Sequence, residues 1–334
     1  MISLFAWTPD RGGRTARRAA AVAAVSAALL AEASAADTVR LRYGFKPESA
    51  YEQTIGLDLV MNFDPASVPA PLLALLQSMT GEVKQQVASK ARLQTKTRNA
   101  DGSLPLQYKI LEAKGTLTQG GQTKTIPALE QAASKPPAEG RVASDGRRVI
   151  LDPPPQGTEG IPKRVQERIS DSLPVLPEQE LKVGDAFETR TAMTLPGPSG
   201  KGERQVEAVW VYTLKTLEKK AATFDVKQTI PEGASMGTGQ GQKLEMAGGG
   251  TGSAVFDRAS GTFSSIKVDL DLTMTMDVPL PAGLTLGSGG TTTPNPDGST
   301  GPVPTRIKVL VKGPMAMTLV PASASPAAPP AAKP

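Results

Sequence analysis

The stretch Ser265-Ile-Lys-Val-Asp-Leu-Asp-Leu-Thr-Met-Thr-Met-Asp-Val278 changes between apolar and polar at every step from Ile266 onward. Successive side chains of a strand point to opposite faces. Ile266, Val268, Leu270, Leu272, Met274, Met276 and Val278 therefore predict one oily face, with Lys267, Asp269, Asp271, Thr273, Thr275 and Asp277 behind it. At about 3.3 Å per residue such a strand runs roughly 43 Å, against a usual strand of about 5–6 residues. A strand this long predicts a wide curved sheet, buried on one face and wet on the other.

The same period recurs along the chain. Val39, Leu41, Tyr43 and Phe45 alternate, Lys46-Pro47-Glu48-Ser49 reads as a turn, and Tyr51, Gln53, Ile55, Leu57, Leu59, Met61 and Phe63 alternate again, which predicts a hairpin with a long second strand. Further strands are predicted at 83–98, 104–118, 140–144, 148–151, 186–194, 205–218, 223–230, 252–256, 262–278 and 306–319, with Asp-Gly turns at Asp101-Gly102 and Asp145-Gly146. Two segments depart from period two. Pro71 to Met79 is rich in helix formers, and Ile161, Val165, Ile169 and Leu173 repeat every four residues, so each predicts a short helix. The Gly-rich 233–251 and the Gly/Thr/Pro-rich 281–304 read as flexible breaks.

The N-terminus combines Arg11, Arg14, Arg17 and Arg18, an apolar run from Ala19 to Leu30, and Ala33-Ser34-Ala35, the pattern of a secretory signal cleaved after Ala35. No cysteine is present, so neither a disulfide framework nor a lipid-modified cysteine is available. No other segment offers the ~20 apolar residues of a membrane-spanning helix. The net charge of +5 falls to +3 from residue 36 onward, which gives no basic footprint for nucleic acid.

Histidine is also absent, which removes Ser-His-Asp, Cys-His and the usual zinc sites. Gly237-Thr-Gly-Gln-Gly-Gln242 is followed by no Gly-Lys-Ser/Thr and is not a phosphate cradle. Asp58, Asp269 and Asp271 raise a carboxylate pair or calcium site, against which stands a solvated strand face. An outer-membrane barrel would also alternate, but thirteen aromatics are too few for two girdles and strand 83–98 is too polar for lipid. Trp210 lies in Ala208-Val-Trp-Val-Tyr212 and reads as core.

Phe45-Lys-Pro-Glu-Ser-Ala-Tyr51-Glu52 resembles Leu181-Lys-Val-Gly-Asp-Ala-Phe187-Glu188, and the hairpins that follow, Gln86 to Ile110 and Gln205 to Ile230, have nearly equal spacing, which suggests a diverged duplication of one β unit. Leu41-Arg-Tyr-Gly-Phe45-Lys46-Pro47, Lys182-Val-Gly184-Asp185-x-Phe187 and Gly252-x-Ala-x-Phe256-Asp257 before Gly261 together resemble a family of exported bacterial proteins of unknown function, over most of residues 38–278. These motifs are turns and strand starts, and they carry no catalytic residue. At the level of fold, the long curved sheet is similar to envelope lipoprotein carriers with half-barrel sheets.

The expectation is a mostly β protein: a long, curved, half-barrel-like antiparallel sheet, built from two duplicated β units with two short helices. Its parts are a signal peptide (1–35), an N-terminal β unit (36–152), a helical connector (153–178), a C-terminal β unit (179–320) and a Pro/Ala tail (321–334). The expected function is non-enzymatic and needs no cofactor or metal: an exported protein, periplasmic or secreted, that binds a lipophilic ligand or an envelope partner, with no nucleic acid and no transmembrane segment in the mature chain. Leu57, Leu59, Met61, Phe63, Leu272 and Met274 are the candidate ligand-binding residues. The alternatives are a scaffold whose concavity is filled by its own helices, and an exported hydrolase using carboxylates.

Overall fold

The computed structural model describes residues 38–68, 82–152, 173–196, 203–237, 243–278 and 305–322. The predicted signal peptide, the helix at 71–79, most of the connector, the 281–304 segment and most of the tail lie outside these residues. The protein is mostly β. The strands are β1 (Ala50–Phe63), β2 (Val83–Thr95), β3 (Leu104–Gln119), β4 (Gln122–Thr125), β5 (Ala138–Val142), β6 (Val149–Leu151), β7 (Ala186–Pro196), β8 (Glu203–Leu217), β9 (Ala221–Gly237), β10 (Lys243–Asp257), β11 (Thr262–Val278) and β12 (Thr305–Pro321). Among the described residues one α-helix occurs, α1 (Pro127–Ser134), which opens with proline in its first turn, where the missing N–H costs nothing. Sequence reasoning missed it.

The twelve strands form one antiparallel sheet in the order β6-β5-β3-β2-β1-β12-β11-β10-β9-β8-β7, with β4 on the free edge of β3. This is an up-and-down meander whose first and last strands pair, so the circuit is complete except between β6 and β7. The two halves contribute β1-β2-β3-β5-β6 and β7-β8-β9-β10-β11 in the same sense, and β12 joins them. At the β6/β7 seam no ladder forms, and residues 173–181 run beside it: Leu176 N–H donates to Arg147 O at 3.0 Å and Val175 N–H to Thr189 Oγ1 at 3.3 Å. Leu173, placed by its spacing on a helix, is a buried residue of this irregular segment.

The apolar parity of every strand faces one side. Tyr51 and Gln53 on β1, Ala91 and Leu93 on β2, Leu106 and Tyr108 on β3, Tyr212 on β8, Phe224 on β9, Phe256 on β10, Ile266 on β11 and Leu319 on β12 are all buried on it. The sheet curls around this face, because rings two or three strands apart touch across it: Phe187 and Phe224 at 5.9 Å, Tyr212 and Phe263 at 5.7 Å. The eight rings of Tyr43, Phe45, Tyr51, Phe187, Tyr212, Phe224, Phe256 and Phe263 gather at one end of the strands, here the base. The opposite end is the rim, marked by Phe63 on β1 and Met276 on β11.

Residues 39–45 alternate as expected, but they do not make a hairpin with β1. They cross the base as a clasp. Val39 exchanges two hydrogen bonds with Leu181, Tyr43 N–H donates to Gly146 O at 2.7 Å, and Gly44 N–H donates to Gly261 O at 2.9 Å. The Tyr43 hydroxyl donates to Pro174 O and Arg42 to Pro177 O. Alternate residues are buried because one side of the clasp meets the aromatic core; both neighbours of β1 are already β2 and β12.

The Gly-rich 233–251 is a second departure, since it is strand over the described residues 233–237 and 243–251. Its glycines are required by close backbone approach rather than by looseness. A Cβ at Gly249 would run into the Gln228 carbonyl oxygen of β9, and Gly248 holds φ at +115°. Gly115 on β3 plays a comparable part, because a Cβ there would strike Leu129 of α1, which covers that stretch of the inner face.

Candidate functional site

Toward the rim the inner face changes character. The base is solid, whereas Leu57, Leu59, Met61 and Phe63 on β1 and Leu272 and Met274 on β11 are only half-buried. The ladders bring these candidates into shared rows across β12: Met61–Val311–Leu272 and Phe63–Val309–Met274 stand in register, while Leu57 meets Met315 and Leu59 stands opposite Gln85 of β2. Two strand spacings separate β1 from β11, about 10 Å, so the named side chains share a concave apolar wall with Val309 and Val311 between them. A second buried cluster, Ala208, Ile230 and Met246, continues that wall across β8–β10, with Trp210, Leu272 and Met274 packed on it.

The outer face is the opposite. Lys84 and Gln86 on β2, Lys267, Asp269 and Asp271 on β11, and Lys308 and Lys312 on β12 are exposed, and Lys312 pairs with Asp271 at 2.9 Å. Glu52 meets Lys90 at 2.9 Å and Arg92 at 3.3 Å, and these hydrogen bonds hold its carboxyl below the usual range. A transmembrane barrel presents an apolar band outward and polar residues inward; here the polarity is reversed. No helix among the described residues is long and apolar enough to cross a membrane.

The carboxylates raised by the sequence do not converge. Asp58 accepts from Gln86 Nε2 at 3.2 Å, Asp271 is engaged by Lys312, and no group of three or more acidic side chains that could hold a metal ion occurs among the described residues. Two open depressions mark the outer face. One of about 480 Å³ lies among Val211, Asp225, Lys227 and Asp269, and one of about 460 Å³ is floored by Gly56, Ala88, Pro314 and Ala316. A narrower cleft of about 190 Å³ occupies the β6/β7 seam, between Val149 and Ile150 on one side and Thr189 and Thr191 on the other, with Leu173 and Val175 also lining it.

Polar groups on the inner face are few, and most are satisfied locally. The Tyr108 hydroxyl donates to Gln53 Oε1 at 3.0 Å, and Gln53 Nε2 reaches Met317 Sδ. Burial pushes the Tyr43, Tyr108 and Tyr212 phenols well above their ordinary value, so they are neutral donors. Gln228 differs. It is 5% exposed, and its Oε1 has no hydrogen-bond partner. Sequence reasoning passed over it, although its signal was legible: it interrupts the apolar parity of Phe224, Val226 and Ile230.

No family model and no curated protein matches the chain. Among solved structures, OccK5 (OpdH) of Pseudomonas aeruginosa aligns at 8% identity over 84% of this chain and 100% of its own, with a TM-score of 0.22. An acetoacetate decarboxylase-like enzyme from Sphingomonas wittichii RW1 aligns at 9% identity over 83% and 94%, with a TM-score of 0.12. Scores this low carry no argument about fold or function.

Proposed function

We propose that this protein is an exported, non-enzymatic component of the cell envelope that binds a lipophilic ligand in the rim half of its concave sheet. One observation carries the reading: on β1, β12 and β11 the inner face stays apolar to the rim, where Leu57, Leu59, Met61, Phe63, Leu272 and Met274 remain half-exposed behind a charged outer face. A side chain of this size gains about 1.5–3 kcal/mol on full burial, so an inner wall left half-covered favours an apolar occupant, and methionines adapt to varied shapes. The N-terminal signal pattern supports export.

A second reading has its own support. Ile307, Val309 and Val311 are buried to 8% exposure or less, and α1 fills the space over Gly115, so a self-filled scaffold serving an envelope partner uses the same wall. Titration of the delipidated chain, begun at Ala36, with a pyrene-labelled long-chain alcohol separates the two. Saturable binding that Leu272→Trp weakens at unchanged melting temperature supports the ligand reading; no binding of this or any other lipid probe leaves the scaffold.

A further inference from the structure

Gln228 stands at the junction of the two inner clusters, between Val226 of the base and Ile230 of the rim. A buried acceptor left without a donor is destabilising, so an apolar residue would serve better here unless a donor arrives from outside the chain. A row of polar inner positions leads toward it from the edge of the sheet. Cross-strand register aligns Thr189 of β7, Trp210 of β8 and Gln228 of β9 in one inner-face row, a polar track across an otherwise oily wall. Its outer end is the seam: Thr189 and Thr191 line the β6/β7 cleft, and Trp210 Nε1 donates to Thr191 Oγ1 at 3.0 Å, which leaves the indole no N–H for Gln228. From Thr189 to Gln228 is two strand spacings, about 10 Å. The next position in the row is Gly250 of β10, which has no side chain to offer.

We infer that the ligand is an uncharged amphiphile whose polar end, a hydroxyl or amide N–H, donates its hydrogen bond to Gln228 Oε1 after passing the β6/β7 seam, with its chain lying on the apolar inner wall. The inference rests on the ligand-binding reading above and adds the chemistry of the head. A charged head is disfavoured, because no cation or anion faces the Gln228 position from the neighbouring inner positions Val226, Ile230, Trp210 and Gly250, and an unpaired charge would be desolvated there. Trp210 supplies a flat wall beside the head. Its N–H, already used, takes no part.

The test compares 1-dodecanol with its methyl ether as competitors for the pyrene-labelled alcohol, on the wild-type chain and on Gln228→Leu. Both competitors can accept a hydrogen bond and only the alcohol can donate one. Wild type is expected to prefer the alcohol about tenfold, the value of one buried hydrogen bond. In Gln228→Leu the preference falls to about one while the ether binds as before, and the ligand-free variant melts no lower than wild type, since an unpaired amide has been removed. Equal binding of alcohol and ether by wild type, a preference that survives in Gln228→Leu, or a variant that melts far lower without ligand would each overturn the inference and leave the ligand-binding reading intact. Failure of wild type to bind any of the three probes would overturn both.

Discussion

Removing residues 36–45, so that the chain begins at Lys46, should strip the clasp from the base and cost about a third or more of the stability. The apolar side of the clasp is Val39, Leu41, Tyr43 and Phe45, each 6% exposed or less; four such side chains contribute about 9 kcal/mol by burial. Six hydrogen bonds tie the clasp to Leu181, Gly146, Gly261, Pro174 and Pro177, and at about 1 kcal/mol each they add about 6. Ordering the seven residues Val39–Phe45 opposes this by about 10 kcal/mol. The net is about 5 kcal/mol, against a total of about 5–15 for an ordinary domain. For a mature chain of about 300 residues that lowers the melting temperature by about 8 °C. Thermal melting followed by far-ultraviolet circular dichroism reads it directly, and a synthetic peptide of residues 36–46, added in excess, should restore part of the loss. A truncated chain that melts within about 3 °C of the full mature chain would refute the reasoning, because the clasp would then contribute nothing net to holding the base together.

Further outcomes follow from the two faces and from the buried phenols. Leu270→Asp places an unpaired charge on the inner face beside Val268 and should destabilise by several kcal/mol, whereas Asp271→Asn on the exposed outer face should change stability by about half a kcal/mol; denaturant titration of both variants checks the order, and the reverse order would invert the assignment of faces. Burial raises Tyr43, with the Tyr212 phenol adding to it, and burial raises Tyr108 and Tyr212 as well, from an ordinary value of 10.0. A raised folded-state value means that the folded chain holds protons the unfolded chain releases, so this contribution is complete below about pH 10 and is lost as pH rises beyond it. Absorbance at 295 nm should therefore show these three phenols ionising together with alkaline unfolding; ionisation of all of them in a chain that keeps its circular dichroism would contradict their burial.

The β class, the strand faces and the polarity of each face were determined by the sequence alone, because period two is a local property: Leu272 and Asp271 must point apart whatever lies beside them. The same rule placed Leu57, Leu59, Met61, Phe63, Leu272 and Met274 on apolar faces before any pairing was known. Only the tertiary structure decided that β12 stands between β1 and β11 and brings those side chains onto one wall, since the β1–β12 pairing joins residues about 250 positions apart. It likewise decided that Val39–Phe45 is a clasp rather than a hairpin arm, because its alternation is equally satisfied by a neighbouring strand or by an aromatic core. Local propensity misjudged 233–251 for a related reason. Glycine is poor in an isolated strand, but at Gly249 the backbone of β9 approaches so closely that only glycine fits, and that approach is created by the sheet. Gln228 shows the boundary between the two levels. Its place on an oily face is written in the pattern Phe224-x-Val226-x-Gln228-x-Ile230, but whether its amide finds a partner depends on what the folded neighbours present, and among Trp210, Gly250, Val226 and Ile230 none offers a free donor.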